Sequence, residues 1–320
     1  MYLSLIGGVK VIIELTKEIK VIRPDRKSVF PYSNSIYVDD KVKTVIDAGA
    51  GIRAYNDIPV DQINLLLLSH HHFDHVHCAK IFKNARILAG SEDAASYSDL
   101  NVYLKNSGFL DWKKLMGKLK TEHYTSTVKM TDDVPAEPGF QKIKLAGSIE
   151  DETVFNLGKT SIKAVHTPGH THGHYVFYFE KENILFSGDI DISPRGPWYG
   201  GGCCDLDKFI KSIKKVMEID PGILVTSHRR IFYSHKDNIR KLLKEYLEVA
   251  LKKEENIISY LAQPHSIEDI ARQEFVDKVK PDNRSEHDNF WNKMMISRHL
   301  ERLERVGIIK KIDDRNYLKV

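Results

Sequence analysis

The stretch LLLLSHHHFDHVHCAK, from Leu65 to Lys80, limits the fold more than any other part of the chain. Four leucines in a row suit a strand buried on both faces, inside a sheet that is covered on each side. The run ends in five histidines, His70, His71, His72, His75 and His77, with Asp74 among them. Buried polar groups need partners, so imidazoles and a carboxylate packed at the end of an apolar strand point to a shared metal. In a strand, His70 and His72 face the same way because side chains alternate. A turn just beyond swings Asp74 and His75 toward the same space. Imidazole and carboxylate suit zinc, iron or manganese, whereas a solvated His-rich loop would not follow a buried strand.

Three further pieces repeat the pattern. VHTPGHTHGHYVF places His170 in a glycine-flanked turn after a strand, NILFSGD puts Asp189 just past an apolar strand, and ILVTSH does the same for His228. A single strand-terminal His or Asp is ordinarily a cap or turn residue. Four such pieces, all at strand ends where loops gather at one rim of a sheet, are expected to form one site.

Around them the chain reads as an α/β protein. VKVIIEL, NSIYV and KTVIDAG alternate as strands, ARILAG is another, and the β pattern returns from about residue 151 in ETVFNLG, TSIKAVHTP, YVFYFE and NILFSGD. A mixed-charge helical region at about 97–120 reads as an insertion, with its aromatics Tyr97, Tyr103, Phe109 and Trp112 expected to pack rather than to bind. DLDKFIKSIKKVMEI starts at an Asp suited to N-capping. A long charged helix then runs from about 236 to 261, followed by two more helices and a short hairpin. The expected organisation is a catalytic domain over 1–250 and a small helical domain over 251–320.

Composition removes several functional classes. The net charge is +4 on a chain with 48 Lys and Arg against 44 Asp and Glu, too balanced for a polyanion binder as a whole. No apolar stretch approaches the roughly 20 residues of a membrane span, and the first residues read as a strand rather than a leader. Three cysteines, Cys78, Cys203 and Cys204, make no disulfide framework and suggest reduced thiols in a cytoplasmic setting.

HHHFDH, HTPGHTHGH, SGD and the strand-terminal SH, in this order after VIDAGAG, resemble the metallo-β-lactamase fold superfamily. The resemblance covers about residues 10–235. It implies an αββα sandwich with a dinuclear site in the groove between two sheets. One divalent ion would be held by His70, His72 and His170, the other by Asp74, His75 and His228, with Asp189 bridging. Zn2+ is the expected ion, with Fe and Mn as alternatives. Such a pair shares a water and lowers its pKa from about 15.7 toward about 7; Asp74, besides its role as ligand, is placed to shuttle a proton. The complete ligand set resembles the glyoxalase II-like hydrolases, lactonases and RNA-processing members. Aspartate at position 189, where true β-lactamases usually carry cysteine, weighs against antibiotic hydrolysis. The full second-ion set weighs against a mononuclear persulfide dioxygenase.

The remaining assignments are finer. Asp47 is expected to support a ligand histidine by a hydrogen bond, and His174 to brace the HTPGHTHGH turn. His71 and His77 fall out of phase with His70 and His72. Trp198 and Tyr199, in the Pro- and Gly-rich loop after Asp189, are expected to wall the substrate pocket. The C-terminal segment resembles a winged helix, but 14 Lys and Arg against 13 Asp and Glu from Lys252 onward make duplex DNA an unexpected partner. Packing on the catalytic domain, or homodimerisation, is the expected role. The leading function is hydrolysis of a small-molecule ester-like carbonyl, a thioester or lactone. The alternative is a single-strand endoribonuclease of the lactamase-β-like protein 2 type, with RNA as substrate.

Overall fold

The computed structural model describes residues 5–6, 9–118, 130–276 and 285–320. A short hairpin, β1 (Leu5–Ile6) with β2 (Val9–Lys10), precedes a seven-stranded sheet in the order β3 (Ile12–Glu14), β4 (Ile19–Ile22), β5 (Ser35–Val38), β6 (Thr44–Ile46), β7 (Leu65–Leu68), β8 (Arg86–Gly90) and β9 (Gly147–Ile149). β3 to β6 pair antiparallel, and β6 to β9 pair parallel. A six-stranded sheet follows in chain order: β10 (Val154–Asn156), β11 (Ser161–His166), β12 (Tyr175–Phe179), β13 (Ile184–Phe186), β14 (Ile223–Val225) and β15 (Phe232–Tyr233). Only the β13–β14 pair in this sheet is parallel.

The four leucines explain how the layers stack. Leu65 and Leu67 point into the interface between the sheets, where they meet a core that includes Ile36, Ile46, Phe177 and Phe186. Leu66 and Leu68 point the other way, into a cluster with Tyr55, Phe82 and Tyr97. All four are buried, each contributing about 1.5–3 kcal/mol, and a slip of one residue would exchange the two cores.

The outer face of the second sheet is covered by α4 (Leu206–Ile219) and α5 (Ile239–Tyr260), through residues such as Phe209, Ile213, Val216, Leu243 and Leu247. Asp205 caps α4, its side chain accepting from the Lys208 amide. The outer face of the first sheet is covered mainly by short helical turns, so the helical layer expected there is thin. The insertion forms α2 (Leu100–Asn106) and α3 (Trp112–Met116), with Tyr97, Tyr103 and Trp112 buried as packing residues; positions 119 and 120 of the expected insertion lie outside the described residues.

The C-terminal segment contains β16 (His265–Ser266), α6 (Ile267–Ala271), α7 (Glu286–Arg305), β17 (Ile309–Lys311) and β18 (Asn316–Lys319), and its strands form a sheet in the order β16-β18-β17. α5 runs unbroken through residues 250 and 251. Met295, Ile296, Leu300 and Leu303 of α7 share a core with α4 and α5. Among the described residues, no helix is long and apolar enough to cross a membrane.

Candidate metal centre

β7 delivers its chain end to the rim of the sandwich. The next residues turn through α1 (Phe73–Val76). Gly49, in the turn after β6, lets the two segments approach: a Cβ there would lie 1.6 Å from the Asp74 carbonyl oxygen. β11 and β12 flank the turn carrying His170, β13 ends just before Asp189, and β14 just before His228. Side chains far apart in the chain thus meet at one rim. His70, His72, His170 and Asp189 form one group, and Asp74, His75 and His228 another, with one ligand atom of each residue within 4.8 Å of the others in its group.

The tautomers can be derived from the hydrogen bonds. His170 Nδ1–H donates to the Trp198 carbonyl at 3.1 Å, His228 Nδ1–H to the Tyr32 carbonyl at 3.1 Å, and His75 Nδ1–H to Asp47 Oδ2 at 2.7 Å. The Ser69 hydroxyl donates to Asp47 at 2.7 Å, so its oxygen accepts from His70 Nδ1–H at 3.0 Å. With Nδ1–H engaged in each of these four rings, Nε2 is the nitrogen left to bind a metal. His72 presents Nδ1 instead, 3.0 Å from the Nε2 atoms of both His70 and His170, which are themselves 3.2 Å apart. Three ring nitrogens with too few protons to share repel one another unless a cation sits between them. The edge of a zinc tetrahedron with ligand bonds of about 2.0–2.1 Å is about 3.3–3.4 Å, close to this triangle.

Asp189 faces both groups. Its Oδ2 is 3.1 Å from His170 Nε2, while its Oδ1 is 3.1 Å from His75 Nε2 and 3.3 Å from His228 Nε2. His75 Nε2 and Asp189 Oδ1 are both buried without a hydrogen-bond partner, an arrangement that costs free energy unless something binds there. A divalent cation fits this donor set. Asp74 Oδ2 is 3.3 Å from His228 Nε2.

Electrostatics favour the same occupant. Burial, reinforced by neighbouring imidazoles, holds His70 and His72 well below the usual histidine range, so both stay neutral. Burial works against a charged Asp189, but His75, His228 and His170 outweigh it and keep the carboxyl well below its usual range, hence anionic. Burial also works against charge on His75 and His228, yet the surrounding carboxylates, Asp189 foremost, raise both, His228 to about 9. Without a metal, the cluster draws in protons to balance its carboxylates.

The supporting residues fall partly where the sequence places them. Asp47 holds His75 and also accepts from the Ser69 amide at 2.7 Å. His174 accepts at Nε2 from the Asp189 amide at 3.2 Å, and its Nδ1 meets Thr167 Oγ1 at 2.9 Å; burial lowers it to about 3. His71 and His77, out of phase with the ligand histidines, are buried, His71 on Asp93 and His77 on the Gly49 carbonyl. Trp198 lies at the rim, 36% exposed, its ring centroid 5.5 Å from those of His72 and His170. Tyr199 corrects the expectation of a paired wall: it is fully buried, with its hydroxyl on His299 Nε2 at 2.7 Å.

The sequence reading misses four supports. Asp93 accepts from His71, from the Thr171 hydroxyl at 2.7 Å and from the Gly173 amide at 2.8 Å, tying together the two histidine-rich turns. Cys204 Sγ donates to the His170 carbonyl at 2.9 Å. Asp191 accepts from the His228 amide at 3.0 Å, and Ser69 joins Asp47 to His70. Only Asp191 carries a signal in the sequence, as a second aspartate two positions beyond Asp189.

Residues 29–228 match the family model described as Metallo-beta-lactamase superfamily. The chain is 27% identical over 172 residues to the Beta-lactamase-like protein 2 homolog of Drosophila melanogaster, covering 51% of this chain and 53% of that protein. It is 23% identical over 206 residues to the Atrochrysone carboxyl ACP thioesterase of Aspergillus fumigatus, covering 54% and 63% respectively. The chain thus spans between half and two thirds of these relatives' length. Among solved structures, a metallo-beta-lactamase family protein from Thermus thermophilus superposes with a TM-score of 0.73 at 17% identity, covering 96% of this chain and 100% of that one. That likeness concerns the fold.

Proposed function

The chain belongs to the metallo-beta-lactamase superfamily, and from that premise we propose that it is a dinuclear metal-dependent hydrolase of an ester-like carbonyl, a thioester or lactone. In this reading His70, His72 and His170 hold one divalent cation, Asp74, His75 and His228 hold the second, and Asp189 holds both. The ions are Zn2+, with Fe or Mn as alternatives of the same ligand class. The observation that carries the reading is the position of Asp189, whose two carboxylate oxygens face the two groups at 3.1 Å each.

Bound there, a cation pair supplies a water acidified toward neutrality and an electrophile for the substrate oxygen. The chain's own residues do the rest. The Trp198 and Tyr32 carbonyls, Asp47 and Ser69 fix the tautomers and orientations of His170, His228, His75 and His70. Asp74, beside His228 in the second group, takes a proton from the attacking water and passes it to the leaving group. Trp198 offers an apolar face to the acyl part of the substrate.

A carbonyl substrate is favoured over a polyanion by the surroundings. Arg229, the cation next in the chain to His228, is engaged by Asp191 at 3.4 Å and by Ser193 Oγ at 2.9 Å. A relative's name as a thioesterase points the same way. The order of β16, α6, α7, β17 and β18 suits a winged-helix-like domain at 251–320, which we read as an accessory of the catalytic domain. The test is a screen of purified protein on an acyl thioester, a lactone and single-stranded RNA, each with and without chelator. Chelator-sensitive thioester or lactone turnover is expected. RNA cleavage without carbonyl turnover would replace this reading with the ribonuclease one.

A further inference from the structure

The loop from Arg195 to Asp205 lies between the candidate metal centre and the C-terminal helices, and it is held from both sides. On the inner side the Trp198 carbonyl accepts from His170 Nδ1–H at 3.1 Å, Cys204 Sγ donates to the His170 carbonyl at 2.9 Å, and the Asp205 amide donates to the Gly169 carbonyl at 3.0 Å. On the outer side His299 of α7 donates from Nδ1 to Glu254 Oε2 of α5 at 3.2 Å, leaving Nε2 to accept the Tyr199 O–H at 2.7 Å. Arg302 joins Glu254 to Asp207, which it reaches at 2.6 Å, at the start of α4. Lys253 Nζ donates to the Arg195 carbonyl at 2.9 Å, and Trp291 of α7 packs behind Trp198 at 5.5 Å between ring centroids. Tyr199, His299, Lys253 and Glu254 are all buried.

We propose that α7 positions His170, acting through the relay Glu254–His299–Tyr199 and the Trp198 carbonyl next to it. The C-terminal segment is then part of the metal centre's support rather than a separate appendage. This inference rests on the dinuclear reading above. Its physical basis is geometric. His170 has its bare Nε2 aimed at His70 and His72 only because Nδ1 is fixed on one carbonyl, and that carbonyl belongs to a dipeptide whose second residue is tied to α7. Release of Tyr199 frees the Trp198 carbonyl to drift, and the His170 ring with it. The carbonyl that accepts from a ligand histidine typically carries about 10–100-fold in metal affinity, and the relay acts through it.

The experiment is a Zn2+ titration of apo protein against a chromophoric chelator, for the full-length chain and for Tyr199→Phe, His299→Ala and His299→Gln, with far-ultraviolet circular dichroism as the folding check. Tyr199→Phe removes only a hydroxyl and keeps the ring in its core, so it carries the test if His299→Ala fails to fold. The expected result is that one of two zinc equivalents weakens by about 10-fold or more in Tyr199→Phe and His299→Ala. The other equivalent, at Asp74, His75 and His228, should be unchanged. His299→Gln, whose amide can both accept from Tyr199 and donate to Glu254, should recover part of the loss, and Lys252→Ala, on the exposed side of α5, should change neither. Two equivalents bound with wild-type affinity in folded Tyr199→Phe would overturn the proposal and leave the dinuclear reading standing. Fewer than two equivalents in the wild-type protein would instead overturn both.

Discussion

Asp47 Oδ2 lies 2.7 Å from His75 Nδ1, and the same carboxylate accepts from the amide and hydroxyl of Ser69, whose oxygen in turn accepts from His70. One buried acid thus sets the orientation of a histidine in each of the two groups. Asp47 does so from a left-handed backbone, φ 57, a conformation that costs a non-glycine residue about 1–3 kcal/mol and is maintained by these bonds. Asp47→Asn keeps the shape but loses the anion that accepts all three protons. Zinc affinity is expected to fall by about 10–100-fold, measured by chelator competition; unchanged affinity for both ions would remove Asp47 from the account.

Asp93→Asn addresses the join between the two histidine-rich turns. Asp93 is fully buried, and although burial opposes its charge, His71, Thr171 and the Gly173 amide bring its pKa down to about 2. The folded pKa lies below the unfolded one, so the stabilisation is complete above about pH 4 and is lost as pH falls toward about 2. The variant is expected to lose about 1–3 kcal/mol at neutral pH in urea denaturation, and the difference from wild type should shrink in acid. A difference that grows as pH falls would contradict the assigned charge.

Trp198→Ala separates the ring from the carbonyl of the same residue. The carbonyl that holds His170 survives the substitution, while the apolar face beside His72 and His170 is lost. The expected outcome is a rise in KM of about 10–100-fold for a thioester with a bulky acyl group, from about 1.5–3 kcal/mol of lost apolar contact, with unchanged zinc content. A fall in kcat with KM unchanged would show that the ring acts on the metal centre and not on substrate.

Asp189→Ala removes the carboxylate that faces both groups. Zinc content and turnover are expected to fall together, by more than the about 10–100-fold that a supporting residue carries. Elemental analysis alongside a thioester assay reads both quantities, and turnover that survives would show that Asp189 is not shared.

The seven residues that converge were legible because each stands at the end of an apolar run, where the direction of the chain is set by the strand before it. LLLL fixed its own burial on both sides in the same way. The supports were harder to see. Asp93 reaches His71 and Thr171 across 22 and 78 positions, and nothing in SEDAASY distinguishes it from a helix-starting acid. Tyr199 was misplaced for a different reason. Composition identifies a loop beside the site, but adjacent side chains of an extended loop point to opposite sides, so Trp198 turns to the histidines and Tyr199 to α7. Which of the two faces inward depends on α7, distant in sequence.

The metal content of purified protein, measured by elemental analysis on the sample used for a thioester or lactone assay, tests the dinuclear account most directly. The account predicts close to two transition-metal ions per chain, with turnover abolished by chelation and restored by Zn2+. A sample that hydrolyses its substrate at full rate while free of transition metal would contradict it.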